Sequence, residues 1–218
     1  MYQVRVTMLE KFRRFRDDVT ESYDTEKNVI ESITGVFVGN DLTNIGTAFH
    51  YVVEKGESDI IEPASLLFEK WGVKATEKQI KIFFDHAQNS KPFVPEVPCF
   101  KIFETRIGKL RIVGHCDILQ GNNIRDTKCK FSSPKMIEYL ESYQWRLYLS
   151  IFELNKFIYD VFEFSGHDGR DVSTFEIREH EPFECLRYEK MEEDIQTLIN
   201  DFVDWVLFRN LTNNLTTI

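Results

Sequence analysis

The chain is poor in cysteine, and none of the four it has falls into a pattern. Cys99, Cys116, Cys129 and Cys185 show no Cys-x-x-Cys spacing, which argues against structural zinc and an iron–sulfur cluster and leaves free thiols as the expectation. No apolar run approaches the roughly 18 residues of a membrane-spanning helix, and Met1-Tyr-Gln-Val-Arg-Val-Thr7 has no signal-peptide core. These absences predict a soluble, intracellular protein with no membrane partner, so Asn210-Leu-Thr212 and Asn214-Leu-Thr216 carry no meaning as glycosylation sites. There is no internal repeat and no low-complexity segment. Basic charge is in deficit as well: 27 Lys and Arg against 36 Asp and Glu give a net charge of −9. That excludes a protein that coats nucleic acid by charge alone. It leaves room for an enzyme that gathers basic residues locally, for example Lys11, Arg13, Arg14 and Arg16, or Lys128, Lys130, Lys135 and Arg146. Clusters of this kind are also what solvated helix faces look like.

What is present is a globular composition, 42% hydrophobic with 19 Phe among 218 residues, enough for one well-cored domain. Met8, Leu9, Phe12 and Phe15 recur at helical spacing after Thr7, a candidate N-cap. Residues 18–40 look polar and irregular. Helical patterns follow over Thr43–Glu54, closed by Gly56, over Pro63–Trp71 and over Thr76–Ala87. Pro92-Phe-Val-Pro-Glu-Val-Pro98 looks like a stiff extended connector, because proline removes ladder donors. Three strand-like runs come next, Phe100–Arg106, Leu110–Leu119 and Ile124–Phe131, followed by one long helix from Pro134 to Ile151. Strands over Lys156–Phe164 and Val172–Arg178 around a Gly166–Gly169 turn, and a helix over Arg187–Arg209, complete the pattern. The expected class is α/β: a mixed sheet with a three-stranded meander, flanked by helices. The parts are a mainly helical 1–92, a sheet-and-helix unit over 99–178 and a terminal helix over 187–209.

The most informative segment is Arg111 to Lys128. Gly121-Asn122 suits a two-residue hairpin turn, and that register sets Gln120 against Asn123, Leu119 against Ile124, and Asp117 against Asp126 on one face. Lys128 lies two residues on and faces His115. Two carboxylates at adjacent positions repel. Either Lys128 neutralises them on an ordinary solvated face, or a hard cation such as Mg2+ does, since one or two carboxylates plus water make a typical Mg2+ site.

Gly114-His-Cys-Asp117, Asp126-Thr-Lys128, and the later helix with Gln144-Trp-Arg-Leu-Tyr148 together resemble the PD-(D/E)XK nuclease superfamily. With Gly46-Thr-Ala-Phe-His50 on an upstream helix, the chain is most similar to its RecB-type exonuclease branch, over about residues 44–150. The resemblance implies a restriction-endonuclease-like core and Mg2+- or Mn2+-dependent hydrolysis of linear double- or single-stranded DNA. Asp117, Asp126, Lys128 and Gln144 would be catalytic, and His50, Asp117, Asp126 and the carbonyl of Thr127 would hold the metal. Glu104, on the preceding strand, is either a further ligand or a surface glutamate. Glu54, one turn after His50, either orients the imidazole or is a surface acid, and Tyr148 either touches substrate or packs in the core. His115 is expected to pack. The setting implied is prokaryotic or phage DNA recombination or repair, in the cytoplasm, with a recombination or annealing protein as a second partner. The alternative is the same fold kept as a catalytically inactive module that binds DNA or protein.

Overall fold

In the computed structural model, residues 1–17, 24–35, 41–55, 71–73, 75–165 and 175–218 are described. The helix expected from Pro63 and the turn at Gly166–Gly169, with His167, lie outside them. The apolar stripe of Met8, Leu9 and Phe12 folds as α1, Val6–Arg16. It is preceded by a short strand, β1, Tyr2–Arg5, which the sequence did not announce. The stretch 18–40 is not wholly irregular: Glu26–Thr34 form α2, started by the Thr25 side chain accepting from the Asn28 amide and ended by Gly35 in the left-handed region, φ 81°. Helix α3 spans Asp41–Lys55. Helix α4, Glu77–Asn89, opens with a capping box between Thr76 and Gln79.

The Pro92–Pro98 connector proves to be mostly strand. β2 runs from Val94 to Thr105 and pairs antiparallel with β3, Gly108–Gln120, at every residue but Glu96. It tolerates Pro95 and Pro98 because β3 is its one neighbour among the described strands, and an edge strand does not need every amide. β4, Asn123–Lys130, pairs parallel along its full length with β5, Lys156–Ser165. The long helix expected after β4 is broken in two, α5 Met136–Glu141 and α6 Tyr143–Phe152. Ser142 between them is extended (φ −60°, ψ 138°), and its side chain caps the Gln144 amide. After β5 come β6 Glu176–Glu179, β7 Phe183–Leu186, α7 Met191–Phe208 and β8 Thr216–Thr217. The sheet order is β6-β5-β4-β3-β1-β8, with β2 on β3 and β7 on β5. It is mixed, with β1–β3 and β4–β5 parallel.

Each face of this sheet carries an apolar core. On one, Leu9 and Phe12 of α1, Leu147 of α6 and Ile195 and Phe202 of α7 pack with Ile124, Phe157 and Tyr159. On the other, Ile45 and Phe49 of α3 and Ile80 and Phe83 of α4 pack with Ile118, Phe162 and Phe164. The chain is thus a mixed α/β protein whose central sheet is flanked by helices.

Candidate functional site

The hairpin forms with the expected turn: Gly121 has φ +57°, and Gln120 pairs with Asn123, Leu119 with Ile124 and Ile118 with Arg125. The ladder then stops, one rung before Asp117 would meet Asp126. β4 follows β5 instead, and further along the same edge of β3 the place is taken by β1, which pairs with Leu110 to Val113. Gly114 to Asp117 therefore line a fork. β3 also changes face there: Cys116 and Ile118, two residues apart and normally on one side, pack into different cores. On β2 the rungs Pro95–Ile118 and Val97–Cys116 bracket Glu96 and Asp117, which do not themselves pair, and the φ of Glu96, +48°, lies in the left-handed region. A non-glycine residue held there carries about 1–3 kcal/mol of strain.

Tyr148 of α6 fills the fork. Its hydroxyl donates to the His115 carbonyl at 2.6 Å, one of the groups left without a strand partner. Gly114 gives the ring room, since a Cβ there would fall 2.9 Å from the Tyr148 oxygen. With the residue only 4% exposed, Tyr148 holds the fork open and does not face solvent.

The two acids are approached from opposite faces. From α3, His50 Nδ1 lies 3.3 Å from Asp117 Oδ2, and the same oxygen accepts from the Thr127 amide at 3.1 Å. Burial alone would discharge both groups, but His50 and Lys128 outweigh it and hold the Asp117 carboxyl below its ordinary range, while Asp117 lifts the imidazole above its own. From α6, Gln144 donates its Nε2 to Asp126 Oδ1 at 2.9 Å and accepts from Lys128 Nζ on its Oε1 at 3.2 Å. Lys128 Nζ is also 2.6 Å from Asp126 Oδ2, yet the approach is misdirected and that buried oxygen has no aligned donor. Burial, joined by the charge of Asp117 and opposed by Lys128, pushes the Asp126 carboxyl up to about 6. Lys128 is held charged: the two aspartates outweigh its burial.

The structure thus gathers His50, Asp117, Asp126, Thr127, Lys128 and Gln144 around one strand fork. Glu104 is not among them. It is exposed at the far end of β2 beside Lys109, Nζ to Oε1 3.8 Å, on the order of 26 Å by strand rise from Glu96. Glu96, exposed on β2, is the strand acid whose position falls level with Asp117: partial burial, Asp117 and Glu54 raise its carboxyl, and His115 and His50 pull it down. Starting the strand at Phe100, after the prolines, hid it from the sequence. Its signal was the register counted back from Gly108, which sets position 96 against 117. Glu54 pairs with Lys55 at 2.8 Å, and it is Asp117 that aligns His50. His115, expected to pack, is exposed across from Pro98.

Most of the basic strips are committed internally. Arg13 is buried against Glu10, Arg16 pairs with Asp17 and Asp201, Lys130 with Glu138, and Arg146 donates to the carbonyls of Leu140 and Glu141. The thiols are free, and burial pushes Cys99 up to about 11 and Cys116 higher still, so they lack thiolate character.

A hard cation suits the donor chemistry: the Asp126 oxygen is buried without a directed donor, and two carboxylates of like charge share the fork. Among the described residues no three His, Cys, Asp or Glu side chains close on one point. An ion held there would take two carboxylates and complete its shell with main-chain oxygen and water, as Mg2+ commonly does, once the Lys128 ammonium swings off Asp126.

No protein-family model matches the chain, and comparison with curated proteins finds no match. Among solved structures it is similar to that of SSO0001, at 15% identity and a TM-score of 0.45 over 92% of this chain and 78% of that one. A likeness that weak fixes neither fold family nor activity. The structure defines the class, a mixed α/β protein with a charged fork in its central sheet. No helix among the described residues is long and apolar enough to cross a membrane.

Proposed function

We propose that the chain is a divalent-metal-dependent deoxyribonuclease with a restriction-endonuclease-like core, acting on linear DNA as an exonuclease in the manner of the RecB-type branch. The observation that carries this reading is the convergence of Asp117, Asp126 and Lys128, clipped by Gln144 and faced by His50. Bound Mg2+ or Mn2+ would supply a polarised phosphate and an activated water. Asp117 and Asp126 would hold it, with His50 and the Thr127 carbonyl in support, and Glu96 would join the acidic rim. The Lys128 ammonium, kept charged by its neighbours, turns to the non-bridging oxygens of the scissile phosphate and stabilises the charge that grows there. Gln144 orients Asp126 by donating to its Oδ1 and offers Lys128 an acceptor in the present arrangement. Tyr148 and Gly114 keep the fork from closing.

End-labelled linear DNA and a closed circle, incubated with Mg2+ or Mn2+, test the reading. Cleavage restricted to the linear form is expected. Asp117→Ala, Asp126→Ala and Lys128→Ala should each reduce the rate by about 100- to 1,000-fold or more while the circular dichroism spectrum is kept. Undiminished cleavage in these variants removes the reading. Binding of DNA without cleavage under any metal supports the inactive-module alternative.

A further inference from the structure

We propose that the open face shared by β1, β3 and β2 is a platform for a single-stranded segment of DNA, which it leads along β3 to the fork. The inference rests on the nuclease reading and gives its substrate a single-stranded end. Strand register builds the face. Arg5 pairs with Val113, which pairs with Phe100, and Gln3 pairs with Arg111, which pairs with Ile102, so these side chains lie on one side of the sheet. The alternate positions Val4, Leu110 and Ile112 turn the other way, into the core built with α1, α6 and α7. Phe100 is 52% exposed and Ile102 44%, and Arg5 is exposed beside them.

Charge and ring chemistry together select the occupant. In a chain of net charge −9, neither Arg5 nor Arg111 forms an ion pair among the described residues, and Arg111 Nε is buried without an acceptor. Lys109, further along the same face, is answered by Glu104 at 3.8 Å. Two guanidinium groups without acids suit phosphates. The Arg111 guanidinium also lies over the Phe100 ring, 4.0 Å from its centroid. Bases stack on such aromatic and guanidinium surfaces, and a single strand leaves its base faces free to do so where a duplex does not. The row continues through Val113 and the exposed His115 to Asp117. Arg111 precedes Asp117 by six residues, roughly 20 Å of strand rise. At about 3.4 Å per stacked nucleotide, about six nucleotides span the distance from platform to fork.

The test is metal-free binding of labelled oligothymidylate, of a blunt duplex and of the same duplex with overhangs of increasing length, by anisotropy across a salt series, beside single-turnover cleavage. Wild-type affinity should rise with overhang length and level off near about six nucleotides. Phe100→Ala should weaken single-strand binding about tenfold without moving the salt slope, and Phe100→Tyr should restore it. Arg111→Ala and Arg5→Ala should each flatten the slope of log affinity against log salt by about 0.7. Lys81→Ala, which removes a surface charge paired with Asp85, should leave affinity and slope unchanged. If the wild type cuts DNA while Phe100→Ala and Arg111→Ala bind single strands as it does, the platform falls and the nuclease reading stands. Equal losses on blunt duplex and single strand overturn the single-strand assignment. So does a Phe100→Ala variant that dissolves a dimer and binds DNA unaltered, since the face then belongs to a second copy of the chain. If single strands bind through Phe100 and Arg111 and no metal supports cleavage, the platform stands and the nuclease reading falls.

Discussion

Asp126 is the residue at which folding and chemistry pull apart. Its carboxyl is 4% exposed and shares the fork with Asp117, so burial and like charge raise it to about 6 although Lys128 sits alongside. A carboxyl whose folded value lies above its unfolded value stabilises the fold when protonated. Its contribution is complete below about pH 4 and is lost as pH rises through about 6. Asp117 has the opposite sign, since it is held below its ordinary value and its contribution is lost only as pH falls under that range. In metal-free buffer, Asp126→Asn should therefore gain on the wild type between pH 4 and pH 7, by on the order of 2 kcal/mol. Melting temperatures measured in parallel across that range check this, and a difference that stays flat with pH would remove the raised carboxyl. Metal binding near pH 6 should also release a proton from Asp126, visible as a calorimetric heat that depends on the ionisation enthalpy of the buffer.

At the scale of elements, the site is a consequence of β4 choosing β5 over β3. The Tyr148 hydroxyl caps the carbonyl that this choice leaves unpaired, and Gly114 leaves the space for it. Tyr148→Phe should cost about 1–2 kcal/mol, the price of an orphaned buried acceptor, and Gly114→Ala about 1–3 kcal/mol by overpacking. Because the added methyl would clash first with the hydroxyl, at 2.9 Å, the double variant should lose less than the sum of the two. Urea unfolding of the four proteins measures the coupling, and strict additivity would mean that the two residues do not share the fork. The same element shows what was legible beforehand. Turn chemistry at Gly121-Asn122 gave the register, and helical spacing placed His50, Gln144 and Tyr148 on their helices. The departure of β4 left no local mark, because it depends on β5, whose paired residues lie 33 positions further along the chain, as Asn123 with Lys156. Prolines concealed the first half of β2 and Glu96 with it, since a propensity rule written for central strands does not apply to an edge. The Ser142 break was hidden by an apolar stripe that continues in phase from α5 into α6.

At the scale of the whole molecule, the fork needs a rigid side to open against, and the β4–β5 pair provides it. Thr127, between Asp126 and Lys128, is paired with Asp160. Asp160, 2% exposed, takes a two-pronged contact from Arg125, Nε at 2.8 Å and Nη2 at 2.5 Å, and lies 3.5 Å from His86 Nε2 on α4. This buried cluster pins α4 to β4 and β5 on the face away from Gln144. Burial would raise the Asp160 carboxyl, but His86 and Arg125 outweigh it and hold it below its ordinary value. It therefore stabilises the fold above the unfolded carboxylate range and ceases to do so as pH falls below it. Arg125→Met removes one partner and leaves a buried carboxylate short of charge, a loss of about 3–5 kcal/mol at pH 7, whereas Arg125→Met with Asp160→Leu should recover most of it. The single variant's deficit should also shrink as pH falls toward 3, because Asp160 without Arg125 takes up its proton at a higher pH than in the wild type. Urea midpoints at the two pH values, read beside Mn2+ affinity, separate the roles. Should the cluster matter for stability alone, the double variant will bind Mn2+ as the wild type does. If it sets the position of Asp126 through Thr127, the double variant will be as stable as the wild type and still bind the ion more weakly.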